Sequence, residues 1–166
     1  MNILENKSRT FQRNKWLLIF LTLAFFATDR LFKYLFMENI LNERCFFITL
    51  IKNEGAAFGL KLPGSLGWIF YILIVLIIFF LTMRLAKLWR EKRTSKIFPL
   101  LLIIAGAISN LIDRLKFGGV IDFIDLKIWP VFNLADIMIV AGILYLLFSC
   151  SCKKKLGCKI GDNDII

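Results

Sequence analysis

Four apolar stretches, each nearly long enough to cross a bilayer as a helix, constrain this chain more than any other feature. They lie at residues 16–36, 66–83, 97–117 and 131–150. About 20 apolar residues in a helix span roughly 30 Å of hydrocarbon. The chain is also 58 % apolar, with 17 phenylalanines among 166 residues, which is more apolar surface than one small soluble core buries. We therefore predict an integral membrane protein with four transmembrane helices.

The lysines and arginines outside these stretches predict the topology. Fourteen lie in the N-terminal segment, the loop at 84–96 and the tail after Ser151, whereas four lie in the two other connections. By the positive-inside rule, both termini and the middle loop are cytoplasmic, and residues 37–65 and 118–130 face outward. Topology thus accounts for the net charge of +10, and no nucleic-acid partner is expected. We predict one membrane domain (1–150) and a cytoplasmic basic tail (151–166).

The first outward-facing connection contains a predicted β segment at about 45–62. Its CFFITLI run is rich in aromatic and β-branched residues, and a turn at 53–55 separates this run from AAFGLKL. We predict two short strands that lie on the membrane surface. An amphipathic flap without chemistry is the alternative interpretation.

Histidine is absent, which excludes imidazole as a nucleophile's partner, a metal ligand or a general base. The four cysteines contain no CxxC pair with a second ligand pair, so we expect free thiols and no metal site. Any acid–base chemistry therefore depends on carboxylates.

Polar side chains from three predicted helices and one connection reach the same depth below the outer surface. They are Asp29 and Lys33 in helix one, Asn110, Asp113 and Arg114 in helix three, Asn133 and Asp136 in helix four, and Asp122 in the connection. At ~1.5 Å per residue, these side chains lie within about 10 Å of the outer helix ends. Intramembrane ionisable groups normally face the bundle interior and pair there, so we predict a polar pocket that opens outward.

Most of these residues also have a purely structural interpretation. Asp29 and Lys33 form an i,i+4 pair that makes an outer helix end tolerable. Asp113 and Arg114 steady helix three if the arginine pairs with a neighbouring carboxylate. The asparagines hydrogen-bond across helices, as is common in membrane bundles.

Asp122 and Asp136 are the candidate reactive groups, because neither has a cation three or four residues away on its own element. If the fold brings them together, two carboxylates a few Å apart do not both ionise, and one keeps a proton. The ionised partner would take a proton from water while the protonated partner hydrogen-bonds a carbonyl oxygen. A peptide bond could then be attacked without a covalent intermediate.

Five short motifs follow one another along the membrane part of the chain. They are DRLFK (29–33), NEGAAFG (53–59), SNLIDR (109–114), GGVIDF (118–123) and FNLAD (132–136). Together they resemble the bacterial lipoprotein signal peptidases, the signal peptidase II family. The resemblance implies a mainly α membrane fold of four transmembrane helices with a small extracytoplasmic β-platform and cytoplasmic termini. It also implies an aspartyl endopeptidase that cuts the signal peptide from a prolipoprotein before its diacylglyceryl-modified cysteine.

The resemblance further implies which residues form the site, with Asp122 and Asp136 as the catalytic pair. Residues that bind substrate or support the pair are Asp29, Lys33, Asn53, Gly55, Phe58, Asn110, Asp113, Arg114 and Asn133. No metal or organic cofactor is implied. Ser109 stands where many members of the family have glycine, a difference expected to affect packing only.

The implied partners are lipid-modified prolipoproteins, membrane lipid and inhibitory globomycin-type cyclic peptides. We expect a monomer that crosses the bacterial cytoplasmic (inner) membrane several times, with its active site on the extracytoplasmic side.

Two rival functions start from the same residues. A small proton- or cation-coupled carrier predicts carboxylates along a path to both faces, whereas these stay on the outer side and helix two carries no charge over 66–83. A scaffold or assembly factor gives no reason for two aspartates with apolar neighbours.

Overall fold

The computed structural model describes residues 3–38, 47–55, 65–91 and 96–155. The elements are α1 (Ile3–Met37), β1 (Ile48–Asn53), α2 (Ser65–Arg90), α3 (Ile97–Phe117), β2 (Val120–Ile124) and α4 (Leu134–Lys155). The protein is therefore mainly helical with one small sheet, as the sequence predicts.

The helix bounds differ from the prediction at three of the four helices. α3 has the predicted bounds, but α1 begins at Ile3 instead of residue 16. α2 continues to Arg90, so the loop predicted to begin at residue 84 is partly helical. Charged residues extend both helices beyond the apolar stretches, because long straight-chain side chains such as lysine and arginine favour helix.

α4 begins at Leu134, three residues later than predicted. The reason is a β bridge between Phe132 and Ile124, which keeps residues 131–133 extended. The helix then runs to Lys155, beyond the predicted start of the basic tail at residue 151.

Two helical segments of the described chain are long and apolar enough to cross a membrane. They are Gly67–Arg90 and Ile97–Phe117, with mean hydropathies of 2.6 and 1.7. The apolar window of the first is wholly unburied, whereas half of the second is buried within the protein. α3 is accordingly the central helix, and it packs against α1, α2 and α4.

Small residues bring α3 and α4 into close contact. A Cβ atom on Gly106 would lie 2.5 Å from the carbonyl oxygen of Ala135, and one on Gly142 would lie 2.6 Å from that of Pro99. Such close approach is typical of helix pairs in membranes, where small residues let the backbones meet. This contact fixes the start of α4 against the middle of α3.

The sheet joins the two outward-facing connections. β1 and β2 are antiparallel, and Ile51 pairs with Asp122. The first predicted strand thus exists, but its observed partner is β2, a strand that the sequence analysis treated as a connection. The second predicted strand and Phe58 lie outside the described residues.

β2 is buried on both faces and is anchored to α1. The ring of Phe123 stacks on Phe36 at 5.3 Å and on Phe32 at 5.8 Å between centroids. The aromatic contact places the middle of β2, and therefore Asp122, over the ends of the helices.

Candidate active site

Asp122 lies in the middle of β2 with 3 % of its surface exposed. Its two carboxylate oxygens each accept a hydrogen bond from an amide: Asn133 Nδ2 donates to Oδ1 at 2.6 Å, and Asn53 Nδ2 donates to Oδ2 at 3.2 Å. Burial, and then the nearby charge of Asp136, raise the pKa of Asp122 to about 6, although both amides oppose this shift.

Asp136 belongs to a capping box at the start of α4. Asn133 is the N-cap residue, and its Oδ1 accepts a hydrogen bond from the Asp136 backbone N–H at 2.9 Å. In return, Asp136 Oδ2 accepts one from the Asn133 backbone N–H at 3.3 Å. Asp136 thus lies in the first turn of α4, because the helix begins at Leu134 and not at residue 131.

The Asn133 side chain hydrogen-bonds both candidate residues, Asp122 at its carboxylate and Asp136 at its backbone N–H. Its amide nitrogen donates to Asp122 and, at 3.1 Å, to Asn110 Oδ1, while its amide oxygen accepts from Asp136. The structure therefore brings Asp122 and Asp136 together. Asn133 itself is fully buried, so water does not compete for these hydrogen bonds.

A buried ion cluster lies beside this pair. Lys33 Nζ is 2.9 Å from Asp29 Oδ2 and 2.7 Å from Asp113 Oδ2, and all three side chains are at most 1 % exposed. The third N–H of the ammonium group donates to Asn110 Oδ1 at 3.1 Å. The predicted i,i+4 pair of Asp29 and Lys33 is thus present, but it is part of a larger cluster.

Lys33 determines which way the Asn110 side chain points. An ammonium group only donates hydrogen bonds, so the amide oxygen of Asn110 must face Lys33. The amide nitrogen then faces Asp136, to whose Oδ1 it donates at 2.7 Å. The ion cluster therefore orients a donor toward one of the two candidate carboxylates.

Sequence reasoning missed two members of the ion cluster, Arg30 and Ser109. Arg30 forms an ion pair with Asp113 and also donates to the Ser109 backbone oxygen at 3.2 Å. The Ser109 hydroxyl donates to Asp29 Oδ2 at 2.6 Å. Ser109 therefore does more than affect packing. The signal for Arg30 was its place beside Asp29 in the DRLFK motif.

Asp29 also joins α1 to the start of α4. Its Oδ1 accepts a hydrogen bond from the Ala135 backbone N–H at 3.0 Å. The first N–H groups of a helix have no partner within the helix, and the positive end of its dipole favours an acidic group. Asp29 satisfies one of these groups and so holds the capping box in place.

Arg114 and Gly55 line a small cavity of about 60 Å³ next to the sheet. The other lining residues are Glu54, Gly67, Phe70, Tyr71, Gly118 and Gly119. The Arg114 guanidinium lies 5.6 Å from the centre of the Phe70 ring and donates to the Asn110 backbone oxygen at 3.2 Å. Arg114 thus faces α2.

Within the described ranges, no group of three or more histidine, cysteine or acidic side chains is arranged to hold a metal ion.

The apolar helices, the small sheet and the buried acidic cluster are features of a small, mainly helical membrane protein. A family model described as signal peptidase (SPase) II matches residues 21–152. The chain therefore belongs to the signal peptidase II family, and the resemblance seen in the sequence is confirmed.

Individual relatives agree with this assignment. The chain is 40 % identical over 135 residues to the lipoprotein signal peptidase of Moorella thermoacetica, with 77 % of this chain and 88 % of that protein covered. It is 39 % identical over 138 residues to the lipoprotein signal peptidase of Halothermothrix orenii, with 78 % and 91 % covered.

Solved structures share the fold. A bacterial membrane enzyme solved by the in meso method at 2.3 Å resolution has a TM-score of 0.72 and 24 % identity, with 87 % of this chain and 93 % of that chain covered. A second, solved at 1.9 Å resolution, has a TM-score of 0.65 and 27 % identity, with 81 % and 92 % covered.

Proposed function

We propose that this protein is an aspartyl endopeptidase that removes signal peptides from prolipoproteins by cutting before the diacylglyceryl-modified cysteine. Its catalytic pair is Asp122 and Asp136. Membership of the signal peptidase II family supports the reaction. The observation that carries the choice of residues is the single Asn133 side chain that hydrogen-bonds both acidic residues.

The pair shares one proton near neutral pH, because a second negative charge beside the first is costly. The ionised carboxylate removes a proton from water, and the resulting hydroxide attacks the carbonyl carbon of the scissile bond. The protonated carboxyl group donates its proton to the carbonyl oxygen at the same time. When the tetrahedral intermediate collapses, the carboxyl group that gained the water proton transfers it to the leaving nitrogen, and the carbon–nitrogen bond breaks. The other carboxylate takes a proton back from one hydroxyl group of the intermediate, which leaves a carboxylic acid product and restores the singly protonated pair.

The amides around the pair keep its geometry without neutralising it. Asn110, Asn133 and Asn53 are neutral donors, so they hold individual carboxylate oxygens and leave the exchange of a proton possible. The surrounding ion cluster of Lys33, Asp29 and Asp113 supports the pair through Asn110.

Substrate is bound next to the pair by residues of the cavity and the neighbouring segment. Arg114 and Gly55 line the cavity, and the guanidinium N–H groups are suited to peptide carbonyl oxygens. Phe58 belongs to the same proposed set of substrate-binding or supporting residues.

The site faces the extracytoplasmic side of the bacterial inner membrane. All four helices cross the bilayer with both termini in the cytoplasm. This topology is supported by the fourteen basic residues that lie outside the apolar stretches on the cytoplasmic side. Both the diacylglyceryl group and an apolar signal helix reside in the bilayer, so a site near the outer surface meets the scissile bond and still admits water.

The enzyme is a monomer that needs no cofactor. It consists of one domain over 1–150 and a basic tail. Globomycin-type cyclic peptides inhibit it.

The test is a gel-shift assay with purified protein, a lipid-modified prolipoprotein and the Asp122→Asn variant. We expect cleavage before the lipidated cysteine by the parent alone. Cleavage by both proteins would remove Asp122 from the mechanism. Cleavage by neither, with the substrate and detergent validated on a known peptidase, would favour an inactive member of the family or a proton- or cation-coupled carrier instead.

A further inference from the structure

Ile51 lies on the same face of the sheet as Asp122. The two residues are direct partners in the antiparallel register, and side chains of such partners share a face with Cβ atoms roughly 5 Å apart. Asn53, two residues farther along β1, donates to the Asp122 carboxylate and so must also lie on this face. Two independent observations therefore place Ile51 beside the candidate carboxylate.

Ile51 is exposed although its neighbours on this face are not. It leaves 43 % of its surface uncovered, compared with 3 % for both Asp122 and Val120. A β-branched side chain uncovered next to a buried carboxylate contributes little to folding, because its apolar surface remains outside the core. A molecule bound at the carboxylate would cover this surface.

The order of the backbone segments shows what such a molecule must cross. β1 pairs with β2, β2 is bridged to Phe132, and Asn133 then begins α4 with Asp136 in its first turn. Asp122 thus lies between Ile51 on one side and Asp136 on the other. A peptide bond held at the two carboxylates has a flanking side chain that projects past Asp122 toward Ile51.

We propose that Ile51 forms the wall of the subsite for the side chain that precedes the scissile bond and thereby limits its size. This inference rests on the proposed function. The side chain of the residue after the bond carries two acyl chains that extend into the bilayer, whereas Ile51 belongs to the sheet. The preceding residue is therefore the one that meets Ile51.

The test compares synthetic diacylglyceryl lipopeptides that differ only in the residue before the modified cysteine, which is alanine or leucine. The ratio of kcat/KM for the alanine peptide to that for the leucine peptide is measured for the parent, Ile51→Ala and Ile51→Phe. We expect Ile51→Ala to lower this ratio about tenfold, because removing a few carbons from a pocket wall changes discrimination by at least that factor. Ile51→Phe should raise it.

The matched control is Ile128→Ala, the same chemical change at a loop residue that is 91 % exposed. Its ratio should equal that of the parent. A parent that cleaves both peptides with a ratio unchanged in both Ile51 variants would overturn the subsite while leaving the proposed function intact. A parent that cleaves neither peptide would overturn the proposed function and the subsite with it.

Discussion

Two pairs of aspartates lie next to each other in this protein and are held in opposite ways: Asp29, Asp113 and Asp122 are buried, whereas Asp136 is partly exposed. Asp29 and Asp113 are matched by two cations, Lys33 and Arg30, which form direct ion pairs with them. The carboxylates of Asp122 and Asp136 instead accept hydrogen bonds from neutral amides. The difference separates a pair that is paired directly with cations from a pair that is held by neutral hydrogen-bond donors.

The two pairs are connected as well as different. Asn110 accepts a hydrogen bond from Lys33 and donates one to Asp136, and Asp29 binds the backbone of Ala135 in the first turn of α4. A charge-balanced cluster thus positions a second pair whose carboxylates accept hydrogen bonds from neutral amides. Carboxyl groups in a desolvated site that can gain or lose a proton near neutral pH are typical of reaction sites.

The largest expected effect is on catalysis when the amide-held pair is changed. Asp136→Asn keeps an oxygen that can complete the capping box, so thermal stability should change little. Cleavage of a lipid-modified prolipoprotein should fall at least about 10³-fold, since a general acid–base group is lost.

Asp125→Asn is the matched control for this loss. The Lys127 ammonium and then the Thr49 hydroxyl lower the pKa of Asp125 to about 2, so this carboxylate stays ionised and has no proton to exchange. Its variant should cleave at the parental rate. Equal losses in both variants would mean that any acidic residue near the sheet matters, and the comparison would fail.

The next effect is on stability when the cation of the ion-paired cluster is removed. Lys33→Met leaves Asp29 and Asp113 buried with one fewer partner, which should lower the free energy of unfolding by about 3–5 kcal/mol. Denaturant or thermal unfolding in detergent measures this. Lys87→Met is the control, because Lys87 and Glu91 form only an exposed 3.9 Å pair, with an expected change below about 0.5 kcal/mol. Similar small changes in both variants would show that the cluster does not stabilise the fold.

A third variant separates the two tasks of Asn133. Serine caps helices as well as asparagine does, so Asn133→Ser should retain stability within about 1 kcal/mol. The shorter side chain no longer donates to Asp122, and cleavage should fall roughly 10- to 100-fold, the equivalent of one hydrogen bond to a charged group.

Asn133→Ala provides the contrast, because it loses the cap as well. Its free energy of unfolding should be about 0.5–2 kcal/mol lower than that of Asn133→Ser. If the serine variant were as unstable as the alanine variant and equally inactive, the effect on cleavage would be a consequence of a frayed α4.

The sequence predicted those parts of the fold that depend on local pattern. α3 begins and ends at the predicted residues, because its first twelve residues, Ile97 to Ile108, form a continuous apolar run and glycine follows the helix at the left-handed cap position Gly118. The candidate pair Asp122 and Asp136 was found because apolar neighbours make an unpaired aspartate conspicuous. These features are visible within a few residues of chain.

Features that depend on distant contacts were not predicted. The pairing of β1 with β2 joins residues about seventy positions apart, and no feature of the ITLIKN segment indicates which strand it pairs with. Ser109 gained a role only because its hydroxyl meets Asp29 on another helix. The late start of α4 was in principle readable, since Asn133 and Asp136 have the spacing of a capping box, but the longer apolar run from residue 131 outweighed that signal.

The smallest expected effect concerns the amide contact of Asp122 on β1. The Asn53 amide stabilises the ionised form of Asp122, so Asn53→Ala should raise the pKa of this carboxyl further above 6. The limb of the pH–activity profile that reports Asp122 should then move to higher pH by up to about one unit, since one unit corresponds to about 1.4 kcal/mol.

Thr49→Ala is the matched control for this shift, because it removes a hydrogen bond from the same strand to Asp125 instead. Its profile should coincide with that of the parent. A limb that moves to lower pH in Asn53→Ala would mean that the amide favours the protonated form. The proposed distinction between carboxylates held by amides and those held by cations would then be wrong. A shift to higher pH in Asn53→Ala alone would show that neutral donors adjust the proton affinity of the catalytic pair without fixing its charge.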